Sequence, residues 1–236
     1  MRFPTKALLL LSAGLFSAGL FAASAWAVPV SFTQLTGLTG GSPAETAVFK
    51  ADLSSVGLAT ILSITIRDNS GGLGGATGQF SGFDLDAVKL STTDCADAAC
   101  AAGLAGLAVF DFGAGTHFTP GSQRPPADPK LFGTGPTGNT MDNSVARLGA
   151  FDGNSTTAIP GADGFISMGD NGILSFNLTS AASTAGLRLY IGEVGNNGEV
   201  AASDIQVSSS RIPEPATLVL LGLGIAGLAA GRRRHS

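Results

Sequence analysis

Five acidic residues near predicted strand ends are the best candidates for chemistry in this sequence. They are Asp84, Asp86, Glu193, Glu199 and Asp204. Side chains two positions apart on a strand point to the same side, which places the first two together. Clusters that offer only oxygen ligands suit Ca²⁺, as in many extracellular domains. The spacing does not match an EF-hand loop, however, and solvated surface carboxylates are the simpler interpretation, so no metal ligand is assigned.

Catalytic machinery is sparse. Apart from His235 near the C-terminus, His117 is the only histidine, and no Gly-x-Ser-x-Gly segment is present to expose a nucleophilic serine. Glycoside hydrolysis by a pair of carboxylates remains an alternative, because the two residues of such a pair are close in space but need not be close in sequence. Most of the acidic residues are aspartates in turns, where capping of the backbone is their usual role. We therefore expect no enzymatic activity.

The elements that would position these residues are short strands. The chain contains 34 glycines and 11 prolines, and its apolar residues alternate with polar ones, as in Leu174, Phe176 and Leu178. Two Asn-Gly pairs, at 171–172 and 197–198, predict tight hairpins. About ten strands and no helix are expected, which favours an all-β antiparallel β-sandwich or jelly roll. The predicted strands include 31–38, 47–53, 62–66, 79–90, 107–112, 145–151, 165–168, 173–179, 187–194 and 199–207.

Two long segments do not fit the strand pattern. Residues 68–78 are rich in glycine, and residues 117–138 contain five prolines. Loops of this length in a compact domain are functional or mobile. Neither segment contains a convergent set of reactive side chains, which favours mobile surface loops.

The C-terminal region has the composition of a membrane segment. Pro213-Glu214-Pro215 precedes an apolar run over 216–231, and Arg232, Arg233 and Arg234 follow it. About sixteen helical residues would extend roughly 24 Å, slightly less than the roughly 30 Å of a bilayer core. Arginines are costly to bring into the bilayer and favour the cytoplasmic side. The bulk of the chain is therefore expected on the opposite side.

This order of motif, apolar helix and arginine cluster resembles the PEP-CTERM sorting signal. The resemblance covers about a tenth of the chain. It implies export, an inner-membrane intermediate, and then cleavage near Pro213-Glu214-Pro215 by an exosortase, in a bacterium that makes extracellular polysaccharide. Looser similarity to strand motifs of PEP-CTERM surface proteins extends over 83–90, 169–176 and 190–195, and implies a β-sandwich. The alternative is an ordinary anchor that no enzyme processes.

The N-terminal region independently predicts export. Arg2 and Lys6 precede an apolar stretch, and Ala25-Trp26-Ala27 is a small-x-small signal-peptide cleavage site. We predict a signal peptide over 1–27, an exported domain over 28–208 and the sorting signal over 209–236. Residues 28–212 hold 8 basic and 16 acidic residues, a formal charge of −8 that argues against nucleic acid as a partner.

The predicted export also affects the interpretation of the two cysteines and of Tyr190. Cys95 and Cys100 are the only cysteines, and we predict that they form a disulfide closing a small loop between two strands. A metal site there lacks a second cysteine pair or a nearby histidine. Tyr190 is expected on the outward face of its strand, where an aromatic ring could bind sugar.

These observations predict a non-enzymatic protein of the cell surface or extracellular matrix. The first hypothesis is a structural or adhesive component associated with exopolysaccharide or biofilm. The alternatives are a carbohydrate-binding module, assisted by Ca²⁺ or not, and a polysaccharide hydrolase.

Overall fold

The computed structural model describes residues 27–41, 44–153, 164–199 and 205–212. Within these ranges the chain is predominantly β, as predicted. One short helix, α1, spans Ala98–Gly103, and single 3₁₀ turns occur at Leu53–Ser55 and Gly78–Phe80. The strands are β1 (Ala27–Pro29), β2 (Thr33–Gln34), β3 (Thr46–Asp52), β4 (Thr60–Arg67), β5 (Asp84–Ser91), β6 (Thr116–Thr119), β7 (Ile166–Ser167), β8 (Ile173–Ser183), β9 (Arg188–Val194) and β10 (Ile205–Ser208).

The strands form two antiparallel sheets. Sheet A has the order β1-β10-β4-β8-β6, and sheet B has the order β2-β3-β9-β5-β7. Every strand pairing in both sheets is antiparallel. The predicted two-sheet, antiparallel architecture is therefore confirmed.

The connections between strands mostly cross from one sheet to the other. Among the described strands, only β2 and β3 are both consecutive and paired. Asn171 adopts the positive φ that a tight hairpin requires, at 66°, whereas at the second pair Asn196 and Gly198, and not Asn197, have positive φ, at 45° and 93°. The predicted hairpins are nevertheless wrong, because β7 and β9 lie in sheet B whereas β8 and β10 lie in sheet A. Turn chemistry fixes the local backbone but does not decide which sheet the next strand joins.

The main core fills the space between the sheets. Sheet A contributes Ile64, Ile66 and Phe176, and sheet B contributes Leu189 and Ile191, all buried. Alternation along β4 is interrupted by a register shift between Ile61 and Ser63. The predicted alternation from Leu62 is therefore wrong at its first residue: Ile61 is fully buried, whereas Leu62 is half-buried.

Two predicted strands, over 107–112 and 145–151, are irregular segments in the structure. Phe110 makes only an isolated bridge to Leu178, and the Leu148 carbonyl accepts a hydrogen bond of 2.9 Å from Val88 N. Neither segment forms a strand of sheet A or sheet B. Ala146 and Leu148 are buried in the core, and Val109, Phe110 and Phe112 are partly buried against it. This packing produces a strand-like pattern without strand pairing.

A second apolar cluster covers the other face of sheet B. Helix α1 packs there with Val48, Ala87, Phe151 and Tyr190. Asp97 caps the helix, its carboxylate accepting a 2.7 Å hydrogen bond from Cys100 N. The expectation of no helix missed α1 because six residues are too few to show helical periodicity.

The predicted signal helix, the apolar run over 216–231 and the cluster Arg232, Arg233 and Arg234 lie outside the described residues. Asp204, Ala25 and the motif Pro213-Glu214-Pro215 lie outside them too. None of the helices in the described part of the chain is both long and apolar enough to cross a membrane.

Candidate functional site

The acidic residues predicted at the surface are buried. Asp84, Asp86, Glu193 and Glu199 are 5%, 0%, 1% and 4% exposed. The interpretation as solvated surface carboxylates is therefore wrong for these four. The glycine-rich loop over 68–78 accounts for part of this burial, because it packs onto Glu199 and the residues around it.

Three of these residues interact and form what we call the acidic pocket: Asp84, Glu193 and Glu199. Burial raises the pKa of Asp84 well above its usual range, and the charge of Glu199 raises it further. Burial also raises the pKa of Glu199 to about 8, and Glu193 adds to that shift. Asp86 is excluded from this group, because Asp152 is the acidic neighbour that acts on it.

Arg124 lies at the edge of the acidic pocket and is the cation that acts on it. Its Nη1 is 3.6 Å from Glu199 Oε1, but its Nε and Nη2 are engaged by Asp170, at 3.0 and 2.6 Å from Oδ1. Its Nη1 also donates to the Gly74 carbonyl. Because Asp170 already pairs with this guanidinium, Arg124 does not neutralise the three carboxyl groups of the pocket.

Several carboxylate oxygens in the acidic pocket have no hydrogen-bond donor. Both oxygens of Glu199 and Oε1 of Glu193 lack one. Burial raises the pKa of Glu193 to about 8, although the backbone N–H groups of Asn196 and Asn197 counteract this shift. A proton on the carboxyl group is one way to offset the cost of such burial.

The pocket does not present a ready metal centre. In the ranges that the structure describes, no group of three or more His, Cys, Asp or Glu side chains is arranged to hold a metal ion. The weak Ca²⁺ candidates therefore stay a prediction, and Asp204 lies in the undescribed segment between Glu199 and β10.

Asp86 belongs to a separate buried polar group. Its Oδ2 accepts hydrogen bonds from Thr46 Oγ1 at 2.5 Å and from Gly153 N at 3.2 Å. Burial raises its pKa to about 8. Nearby, Lys89 Nζ lies 4.9 Å from the centre of the Phe151 ring and donates to carbonyls at the end of α1, including Leu104 O at 2.8 Å. These contacts tie α1 to sheet B.

The disulfide prediction is confirmed, but its setting differs. Cys95 and Cys100 are bonded with a Cα–Cα distance of 5.5 Å, and the loop leads into helix α1 rather than joining two strands. Tyr190 does face away from the main core, yet α1 and this loop bury it completely. Its hydroxyl accepts from Cys95 N at 2.9 Å and donates to Thr93 O at 2.7 Å. The prediction of an exposed sugar-binding ring at Tyr190 is therefore wrong.

A different aromatic residue, Phe112, lines three neighbouring cavities of about 390, 150 and 250 Å³. Its ring stacks on Phe110 with 5.3 Å between centroids and 3° between planes, and Phe176 packs edge-on against both rings. Asn143 lines two of the cavities and donates to Phe112 O at 2.9 Å. The sequence signal was available, since two phenylalanines two positions apart in an extended segment share one side.

The junction between the domain and the C-terminal region is held by Asn177 on β8. Its Oδ1 accepts a hydrogen bond from Ile212 N at 2.7 Å, and its Nδ2 donates to Ile212 O at 3.0 Å. His117 Nε2 is 3.4 Å from the same Nδ2. His117, the only histidine in the predicted exported domain, thus lies beside this junction. Asn177 was not singled out from the sequence, because a polar residue at alternate strand positions is ordinary.

The comparisons with known proteins bear on this C-terminal region. The family model described as the PEP-CTERM protein-sorting motif matches residues 211–234. The match begins one residue before Ile212 and confirms the resemblance inferred from the motif and the arginine cluster. It marks an exported protein sorted by an exosortase. Neither a curated protein nor a solved structure was found to match the chain.

Proposed function

We propose that this PEP-CTERM domain-containing protein is a non-enzymatic component of the cell surface or the extracellular matrix. The sorting motif is the observation that carries the proposal. An exosortase removes the C-terminal segment from an inner-membrane intermediate, and the β-sandwich is then delivered outside the cell. There it acts as a structural or adhesive component associated with exopolysaccharide.

Burial of the acidic residues supports a non-enzymatic role. A polysaccharide hydrolase needs two carboxyl groups that flank a bound sugar chain. Asp84, Glu193 and Glu199 are at most 5% exposed, and the fully buried Asp86 accepts a hydrogen bond from Gly153 N. His117 Nε2 is 3.4 Å from Asn177 Nδ2, and Ser175, the residue paired with His117, has its hydroxyl hydrogen-bonded to Thr65.

Sorting is tested by Glu214→Ala in the full-length chain, expressed together with an exosortase. The apolar run and the arginines stay intact, so membrane insertion is preserved. We expect a full-length, membrane-bound form to accumulate. Normal release of the domain from this variant would contradict exosortase processing at the motif.

Saccharide binding at Phe112 is a second candidate function. An apolar ring beside amide groups, as in the cavities lined by Phe112 and Asn143, is typical of small-ligand sites. A phenylalanine ring can pack against the C–H face of a sugar while amides bind its hydroxyls.

A glycan array probed with the released domain tests this candidate. Phe112→Ala should abolish binding of any glycan that the wild type retains, whereas Phe32→Ala, which alters a half-buried ring elsewhere, should preserve it. Equal binding by wild type and Phe112→Ala would exclude this site. Binding by neither would leave the structural role as the proposal.

A further inference from the structure

We propose that Asn177 is a positioning residue for removal of the sorting signal. Its side chain holds Ile212 against sheet A, and the chain must leave this docked position before the processing enzyme can act. The proposal rests on the exosortase processing proposed above. It adds a control point in the exported domain, outside the residues of the sorting motif.

The geometry of this contact is that of a strand partner. One amide group both accepts from the N–H and donates to the C=O of the same residue, at 2.7 and 3.0 Å. Paired strands exchange backbone hydrogen bonds in the same two-way manner. Asn177 is only 8% exposed, so water competes poorly for its amide. Ile212 is therefore fixed in position and direction.

The two preceding residues are held as well. Ser63 Oγ donates to Ser210 O at 2.8 Å, and the Arg211 guanidinium donates to Thr179 O at 3.1 Å. Ser63 and Asn177 are paired residues on β4 and β8 and lie on the polar face of sheet A, opposite the core. Three consecutive residues, 210–212, are thus docked across this face directly before Pro213.

This arrangement leaves no free spacer between the domain and the sorting motif. Extended peptides are recognised largely through their backbone N–H and C=O groups. In the docked state those groups of Ile212 are already occupied by Asn177. An enzyme that binds the chain on the domain side of Pro213 must therefore use molecules in which 210–212 have undocked. The rate of processing depends on the fraction of molecules in that state.

The test is a pulse-chase measurement of precursor lifetime in cells that express the full-length chain with an exosortase. Asn177→Ala removes both hydrogen bonds, and loss of two such bonds should raise the processing rate about tenfold. Ser175→Ala is the matched control. Ser175 lies on the same face of β8 and is similarly buried, and within the described part of the chain its hydroxyl bonds to Thr65 at 3.0 Å and not to residues 210–212. The control should process at the wild-type rate.

A second variant covers the case in which Asn177→Ala fails to fold. Ser63→Ala removes one hydrogen bond to the docked segment and should accelerate processing by about threefold. Thermal unfolding of the released domains establishes that each variant is folded.

Failure of this proposal is distinguishable from failure of the proposed function. If the wild type is not processed, or if Glu214→Ala is processed normally, exosortase sorting is wrong. If processing requires Glu214, but folded Asn177→Ala and Ser63→Ala are processed no faster than Ser175→Ala, Asn177 has no positioning role. Slower processing of both variants would also overturn the proposal.

Discussion

Replacing Glu193 by glutamine should make the domain more stable in alkaline solution and change little in acid. Glutamine keeps the shape of the side chain and an oxygen that can accept from the Asn196 and Asn197 N–H groups, but it cannot ionise. In the folded protein, burial raises the pKa of Glu193 from 4.5 to about 8. The wild-type carboxyl group must therefore lose its proton at a buried site as the pH rises.

The sign and size of the effect follow from proton linkage. A carboxyl group whose folded pKa exceeds its unfolded value contributes most stability below about pH 4.5, and that stability is lost as the pH rises through about 8. At 1.36 kcal/mol for each pKa unit, the complete loss is roughly 5 kcal/mol. Local rearrangement relieves part of the cost of burying a charge, so we expect at least about 2 kcal/mol.

Urea unfolding of the wild type and Glu193→Gln at about pH 4 and about pH 9 measures this difference, since these two pH values lie below 4.5 and above about 8. Glu45→Gln is the control, because Glu45 is exposed. Glu199 and Asp86 also titrate in this window, so both proteins lose stability at high pH, and the prediction concerns the difference between them. Equal losses in the wild type and Glu193→Gln would refute the assignment of a buried, protonated Glu193.

Calcium provides a competing outcome of the same experiment. If the carboxylates that have lost their protons at about pH 9 bind no cation, added Ca²⁺ has no effect on the unfolding free energy there. If Ca²⁺ restores the stability of the wild type but not of Glu193→Gln, the pocket binds a cation instead. That result would support the Ca²⁺ prediction made from the sequence.

Two further substitutions test how the loops are held on sheet B. Tyr190→Phe leaves the buried Cys95 N–H without the acceptor 2.9 Å away, and should reduce the free energy of unfolding by about 1–3 kcal/mol in urea denaturation; an unchanged value would mean that water replaces the hydroxyl. Gly75→Ala should destabilise by at least about 1 kcal/mol, because Gly75 has a φ of +65° and a Cβ there would overlap the Glu199 carboxylate. Part of that loss should disappear in a Glu199→Ala background, and full additivity would contradict the contact.

The sequence predicted the fold class because alternation reports which residues face a core. It did not predict which strands pair. Leu174, Phe176 and Leu178 fulfil the alternation on β8, and Asn171 adopts the expected positive φ. Yet β7 and β8 join different sheets, since pairing depends on contacts far apart along the chain. The predictions of strands over 107–112 and 145–151 were wrong for the same reason.

The sequence predicted which acidic residues form the candidate site but not that they are buried. The acidic residues were identified, but their burial depends on segments far apart along the chain, such as the glycine-rich loop against Glu199 and Gly153 against Asp86. Tyr190 was correctly placed on the face away from the main core, but α1 covers that face. A prediction of burial from alternation alone assumes that every side chain on the outer face of a strand contacts water. That assumption fails wherever a loop or helix adds a third layer.

The ends of the described domain are linked by the pairing of edge strand β1 with its neighbour β10. Ala27 on β1 lies opposite Ser208 on β10, and the two strands are antiparallel. The chain that precedes Ala27 and the chain that follows Ser208 therefore leave the same end of sheet A. Residues 210–212 then dock on β4 and β8 at that end, held by Ser63 and Asn177. Two segments that leave from one place can reach the same membrane without crossing the domain. Undocking of 210–212 at that end would lengthen the segment that the processing enzyme can bind without disturbing the core. The proposed control of processing therefore does not require the sandwich to unfold.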